Sequence, residues 1–143
     1  VRFAREDLSK LDLAAIRAGR ISREERVQWM QKAYGAQAAG AIMRENPGDF
    51  LSWEEQERRV KAAQANQDAL RKAINALPPY ETVLDSMRAL GAPLTAADLG
   101  VGDALKNRSM HCAKDYRTRY TLLKLLDECG LMDQYLQEYP LLD

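Results

Sequence analysis

Ala113-Lys-Asp-Tyr-Arg-Thr-Arg-Tyr-Thr-Leu-Leu-Lys-Leu-Leu-Asp-Glu-Cys-Gly130 is the stretch whose reading decides the fold. It reads as one long helix stopped by Gly130, because glycine just past a periodic run favours a left-handed terminus. At about 100° per residue, Arg117, Thr121, Lys124 and Glu128 share one narrow polar stripe. Tyr116, Leu122, Leu123, Leu126 and Cys129 spread over the opposite side. A helix this apolar around its circumference packs on several sides, which places it at the centre of a helical domain. Two charges, Asp115 and Arg119, point into the apolar side.

Working outward, capping signals mark the other helices. Ser22-Arg-Glu-Glu25 and Ser52-Trp-Glu-Glu55 are capping boxes, in which serine and the third following residue satisfy orphan amides reciprocally. The first opens a helix with Val27, Met30, Tyr34, Ala38 and Ile42 inward, and Gly35 predicts a break in it. The second opens the longest expected helix, to about Leu77, with Trp53, Val60, Ala63, Gln67, Leu70, Ile74 and Leu77 inward. Asn46-Pro-Gly-Asp49 reads as a turn between them. Pro78-Pro79 ends the long helix and starts another, whose buried face is expected at Val83, Leu84, Met87 and Leu90, with Gly91 closing it. Thr95 caps a very short helix. A short helix at Asp12 to Ala18 precedes Gly19, and a last one lies around Gln134 to Glu138, ended by Pro140. No window alternates at period two. The expectation is an all-α domain of about six or seven helices, one domain over 1–143, with 1–21 leading into a helical core at 22–143.

The totals narrow the function classes. A chain of 143 residues suffices for one core. The 21 basic and 21 acidic residues cancel, so no global field attracts nucleic acid or an anionic membrane. No apolar run approaches a membrane span, and the start lacks a signal-peptide core. With no secretory signal and no disulfide framework from Cys112 and Cys129, a cytoplasmic setting is expected. The absence of an initiator Met fits a processed chain or a fragment.

Few residues carry chemistry. No glycine-rich phosphate or dinucleotide motif is present. A lone His111 beside Cys112 is a poor metal pair, because adjacent helical residues point apart. Glu24, Glu25, Glu54 and Glu55 are explained by their positions at helix N-termini. The remaining candidate is an inward polar stripe of His111, Asp115 and Arg119 at i, i+4 and i+8. An Asp115–Arg119 ion pair is the favoured reading, since a buried charge needs a partner. The alternative is that Arg119 reaches a cleft and binds an anion such as phosphate.

The run Leu90-Gly-Ala-Pro-Leu-Thr-Ala-Ala-Asp-Leu-Gly100, the Arg117-Thr-Arg-Tyr-Thr121 core and Cys129-Gly-Leu131 together resemble the carboxy-terminal part of sn-glycerol-1-phosphate dehydrogenases. These belong to the iron-type alcohol dehydrogenase and dehydroquinate-synthase-like superfamily. The resemblance covers about residues 20 to 132 and implies that superfamily's helical domain. It also implies a parent enzyme with an amino-terminal NAD(P)-binding domain and a divalent metal (Zn, Ni or Fe) held by one Asp and two His. That enzyme reduces dihydroxyacetone phosphate to sn-glycerol 1-phosphate. Nothing in this chain matches the metal ligands or the cofactor motif, so no catalytic, cofactor or metal residue is assigned and the chain alone is expected to be inactive. The expected partners are the missing nucleotide-binding domain and further copies in a homo-oligomer. Two alternatives remain open: another iron-type dehydrogenase acting on glycerol or a different alcohol, and a stand-alone helical interaction module.

Overall fold

A computed structural model describes residues 3–46 and 50–138. The chain is all-α, and no strand occurs among the described residues. The helices are α1 (Leu13–Ala18), α2 (Arg23–Tyr34), α3 (Ala36–Glu45), α4 (Trp53–Ala65), α5 (Gln67–Asn75), α6 (Tyr80–Ala89), α7 (Asp103–Cys112), α8 (Leu122–Glu128) and α9 (Met132–Tyr135). Tight 3-10 turns at Phe3–Arg5, Leu8–Lys10, Ala97–Leu99 and Ala113–Asp115 complete it. Most of the turn expected at Asn46-Pro-Gly-Asp49, and Pro140, lie outside the described residues.

The local signals that set helix ends hold. Asp12 caps α1 by accepting from Ala14 N and Ala15 N. Ser22 and Glu25 form the full reciprocal box at α2. At α4 only half of the expected box is present: Ser52 accepts from Glu55 N, while the Glu55 carboxylate turns to Arg58 and Arg59. Gly35 separates α2 from α3 with a φ of 77°, a left-handed value that favours glycine. At the end of α8, Leu131 N donates to Leu126 O and Gly130 N to Asp127 O, the paired bonds of a Schellman termination around a left-handed glycine. Thr95 and Asp98 cap the turn at Ala97–Leu99 reciprocally.

Two expected long helices are corrected. The helix expected to run to about Leu77 breaks at Asn66, whose Nδ2 donates to Ala62 O and whose backbone leaves helical geometry. Asparagine competes for backbone partners in this way, and it is a poor helix-interior residue for that reason. The run from Ala113 to Gly130 is not one helix. It is a 3-10 turn, an irregular stretch over Tyr116–Tyr120 and then α8, which Thr121 opens by accepting from Lys124 N. Thr121 therefore acts as an N-cap rather than as part of a polar stripe. These two breaks account for most of the excess of helices over the six or seven expected.

Two apolar clusters result. The larger joins Phe3, Leu8, Val60, Ala63, Leu125, Leu126, Cys129, Met132 and Leu136, so the amino-terminal turns, α4, α8 and α9 share one core. Ile16 packs against it and lies 3.2 Å from where a Gly130 Cβ would stand. The smaller cluster of Met30, Ala39 and Ile42 closes the α2–α3 hairpin, with Tyr34, Met43 and Phe50 at its margin. The α4–α5 stripe is buried or half-buried from Trp53 to Ile74, but Leu77 is exposed. The face expected to be buried on α6 is not: Val83 and Leu90 are exposed, and Leu84 and Met87 are only half-covered.

Replacing Leu126 with alanine, in the main core, is expected to cost about 2–5 kcal/mol of unfolding free energy. Leu90→Ala, on exposed surface, stays within about 0.5 kcal/mol. Urea unfolding of the two variants measures both.

Candidate functional site

The amino-terminal turn of α2 faces the 113–115 turn and α8, and their charges meet there. Arg26 Nη2 donates to Asp127 Oδ2 at 2.8 Å and to Asp115 Oδ1 at 3.3 Å. Lys114 Nζ lies 3.2 Å from Asp115 Oδ2 and 3.8 Å from Asp127 Oδ2. Two cations and two carboxylates thus form a neutral cluster, and Lys114 and Asp115 are buried. Neutrality is what makes its burial tolerable, because an unpaired charge in this setting costs several kcal/mol. Arg26 Nε has no hydrogen-bond partner among the described residues.

A second network flanks α8 through the next residue. Glu128 accepts from Arg59 Nη1 at 3.0 Å and from the Tyr120 hydroxyl at 2.7 Å. Its backbone carbonyl accepts from Gln56 Nε2 at 2.8 Å. Arg59 also donates to Glu55, and its guanidinium lies 5.6 Å from the centre of the Tyr120 ring. The hydrogen bonds from Arg58 and Arg59 hold the Glu55 carboxyl down to about 2. Desolvation and the Glu128 carboxylate push the Tyr120 phenol well above its ordinary value.

Both networks open onto one groove of about 1450 Å³ between the amino-terminal helices and α8. Its walls include Arg20, Arg23, Trp29, Phe50, His111, Asp115, Thr118, Tyr120 and Lys124. The Arg23 guanidinium sits 5.0 Å from the centre of the Phe50 ring, and the Trp29 and His111 ring centres are 6.3 Å apart. The Tyr34 hydroxyl donates to the Cys112 carbonyl, tying α2 to the end of α7. Burial raises the Tyr34 phenol to about 12.

The structure separates the residues of the expected polar stripe. His111 and Asp115 both line the groove, but Arg119 is exposed on the irregular stretch and is not part of its wall. The Asp115–Arg119 pair is therefore corrected. Once the helix opens after Asp115, residues i and i+4 no longer face each other, and Arg26 takes the carboxylate from 89 positions away. Arg26, Asp127, Arg59 and Glu128 were missed as functional candidates. Asp127 signals only as a charge on an otherwise apolar run, while Arg26, Arg59 and Glu128 sit among other polar residues, so the sequence does not say what any of them meets.

What the groove can do follows from this pairing. Asp115, Asp127 and Glu128 are each engaged by a cation, so none is poised as a general base. Both cysteines are buried, and burial pushes the Cys129 thiol to about 12 and raises Cys112 as well. Among the described residues, no group of three or more His, Cys, Asp or Glu could hold a metal ion. The residues present therefore do not fit the divalent metal implied by the resemblance. No helix among them is long and apolar enough to cross a membrane.

Comparison with known proteins bears on half of the chain. The glycerol-1-phosphate dehydrogenase [NAD(P)+] of Bacillus licheniformis is 30% identical over 74 residues. The likeness is partial. It spans 52% of this chain and 18% of the relative, so this chain covers less than a fifth of that protein's length. No family model matches, and no solved structure matches.

Arg26→Met is expected to cost about 2–3 kcal/mol of stability, because it removes the closest cation of Asp127 and one of the two cations on the buried Asp115, leaving Lys114 to hold both. Arg119→Met is expected to stay within about 0.5 kcal/mol, since its side chain is exposed. Chemical denaturation of both distinguishes the observed pairing from an Asp115–Arg119 pair, which would reverse the order.

The raised phenol and thiols give two further outcomes. A phenol held protonated in the folded state retains its proton where the unfolded chain loses it. Stability contributed by Tyr34 is therefore full below about pH 10 and falls as pH rises toward 12. Thermal melts across that range should show a smaller alkaline loss in Tyr34→Phe than in the unmodified chain. Iodoacetamide at pH 8 should label Cys129 at least about 100-fold more slowly in the folded than in the urea-unfolded chain. Mass spectrometry of the alkylated peptides reads that ratio.

Proposed function

We propose that this chain is the helical portion of an NAD(P)-dependent, metal-dependent sn-glycerol-1-phosphate dehydrogenase, with the α2–α8 groove forming one wall of its catalytic cleft. The 74-residue similarity to the Bacillus licheniformis enzyme carries the reading. The all-α fold agrees with the helical half expected of such a protein. In this reading a nucleotide-binding portion supplies the nicotinamide, and the metal ligands lie on residues outside this chain. Hydride would pass to the carbonyl of dihydroxyacetone phosphate, giving sn-glycerol 1-phosphate.

This chain's own contribution is positional. The neutral Arg26–Lys114–Asp115–Asp127 cluster fixes the wall without offering a competing base or nucleophile. The Arg20 and Arg23 guanidinium groups lie 5.9 Å and 5.0 Å from the centres of the Trp53 and Phe50 rings, and both residues line the groove, so they bring positive charge to its mouth. Such a mouth favours an anionic substrate electrostatically. Arg119 contacts an anion only if another part of the protein brings one to the outer surface. The isolated chain, with no cofactor motif, is inactive in this reading.

A second reading, a helical interaction module without enzyme activity, draws on the exposed apolar face of α6. A chimera separates the two. The aligned stretch of the Bacillus licheniformis enzyme is replaced by the corresponding stretch of this chain, and NADH oxidation is followed with dihydroxyacetone phosphate. Activity within about tenfold of the parent, and preference for dihydroxyacetone phosphate over dihydroxyacetone, is the expected result. A folded chimera with no activity on either substrate would sink the dehydrogenase reading. Preference for the unphosphorylated substrate would move it to another alcohol dehydrogenase.

A further inference from the structure

We infer that the floor of the α2–α8 groove reads a hydroxyl group of its ligand through Asn46 Oδ1 and Arg26 Nε. A hydroxylated anion is then held with its hydroxyl end inward and its charged end at the mouth. Asp115, Asp127, Glu128, Lys114 and Tyr120 are already engaged with one another or with Arg26 and Arg59. Asn46 differs. It closes α3 and is 3% exposed, and both its backbone N and its Nδ2 donate to the Ile42 carbonyl at 2.9 Å. Those bonds fix the side-chain amide, because only its nitrogen end can donate to a carbonyl. Oδ1 is the free end, and it has no partner among the described residues. On the neighbouring helix, Arg26 commits its terminal nitrogens to Asp115 and Asp127, and its buried Nε has no partner among the described residues. Both residues line the groove. They also share one end of the α2–α3 hairpin, since Arg26 is nine residues before Gly35 and Asn46 eleven after it. At about 1.5 Å of rise per residue, their levels along the hairpin differ by about 3 Å. A buried acceptor and a buried donor therefore lie at one place, and such atoms are costly to leave unmet.

The pair selects its ligand by chemistry. An amide oxygen only accepts, so the group opposite Asn46 Oδ1 must carry a proton on oxygen or nitrogen. A fully ionised phosphate, a carboxylate and a ketone have none to give. Arg26 Nε only donates, so the incoming group must also accept. An ammonium fails that condition and would set a third cation beside Arg26 and Lys114. A hydroxyl does both through one atom, with one proton and two lone pairs. Charge fixes the other end. Arg26 and Lys114 at the floor are balanced by Asp115 and Asp127, whereas Arg20 and Arg23 bring positive charge to the mouth. An anionic group is drawn to the mouth and finds no net attraction at the floor. For dihydroxyacetone phosphate this sets the free hydroxymethyl group against Asn46 and the phosphate against Arg20 and Arg23. The choice of that ligand rests on the dehydrogenase reading, while the hydroxyl-reading floor is a property of this chain alone.

Titration of the 143-residue chain with dihydroxyacetone phosphate, and separately with acetol phosphate, in which that hydroxyl is replaced by hydrogen, tests the inference. Proton–nitrogen correlation NMR follows the Asn46 side-chain amide and the Arg26 Nε–H. Dihydroxyacetone phosphate is expected to shift both signals. It should also bind at least about fivefold more tightly than acetol phosphate, because the analogue leaves the acceptor unmet. Asn46→Val removes the acceptor and should bring the two ligands to within about twofold of each other. That variant also loses the Nδ2 bond to Ile42, so orientation is read independently in the unmodified chain. There, nuclear Overhauser contacts from the hydroxymethyl protons should reach the Asn46 amide and not the Arg23 guanidinium. No binding up to about 20 mM, equal affinities, a preference that survives in folded Asn46→Val, or hydroxymethyl contacts to Arg23 overturns the inference. So does a titration that leaves the Asn46 amide unmoved, because an ordered water alone then meets Oδ1. None of these readings uses NADH or turnover, so they stand apart from the chimera. An active chimera with no hydroxyl preference in this chain sinks the subsite and keeps the dehydrogenase reading; a hydroxyl preference with an inactive chimera does the reverse.

Discussion

Arg26 holds the two parts of this structure together. The α2–α3 hairpin closes on its own small cluster, and the rest of the core belongs to α4, α8, α9 and the amino-terminal turns. Between them the contacts are largely polar. Arg26 bonds Asp115 and Asp127, the Tyr34 hydroxyl bonds the Cys112 carbonyl, and Arg108 reaches the Lys32 carbonyl at 3.3 Å. A polar seam depends on direction and partner in a way that an apolar one does not, so it fixes the orientation of α2 against α7 and α8. It is also intolerant, because removing one member leaves the others buried without balance.

That seam explains the shape of the 113–121 stretch. Asp115 is buried against a guanidinium from α2, and holding it there ends regular helix at Cys112. The chain then runs irregularly across Tyr116–Tyr120 until Thr121 caps a new start. Glu128, one residue after Asp127, enters the second network from the other side of α8. α8 therefore places apolar residues in the core and two adjacent carboxylates on two different cations. A seven-residue helix anchored this way is held by its neighbours rather than by its own propensity.

The sequence was most legible where the physics is local. Ser22, Asp12, Gly35, Gly91 and Gly130 act on groups within a few residues, and each does what its chemistry requires. It was less legible where two local signals compete. Asn66 and Thr121 each lie inside an unbroken apolar period, and periodicity outvoted them, yet each takes a backbone bond that ends or begins a helix. It was silent where the partner is distant. The burial of Asp115 was readable from its place on an apolar run, but Arg26 is beyond any helical spacing. Periodicity also says that a face is apolar, not what covers it. Hence the stripe on α6 reads as core, although Val83 and Leu90 are exposed and Leu84 and Met87 only half-covered among the described residues.

The same distinction governs function. A groove whose buried and half-buried carboxylates Asp115, Asp127 and Glu128 are matched to cations is stabilised as a wall there, and matched carboxylates make poor bases. A protein that tuned this groove for catalysis alone would need a residue with a perturbed and unmatched charge, the usual mark of an active site. Glu55 and Arg59 are shifted toward their charged forms by pairing with each other, while Tyr34, Tyr120 and the two cysteines are pushed toward their neutral forms. Neutral phenols and thiols donate hydrogen bonds and pack; they do not attack or abstract protons near neutral pH. Under the proposed dehydrogenase reading, the hydride chemistry comes from groups outside these residues, with the groove setting geometry and charge around it.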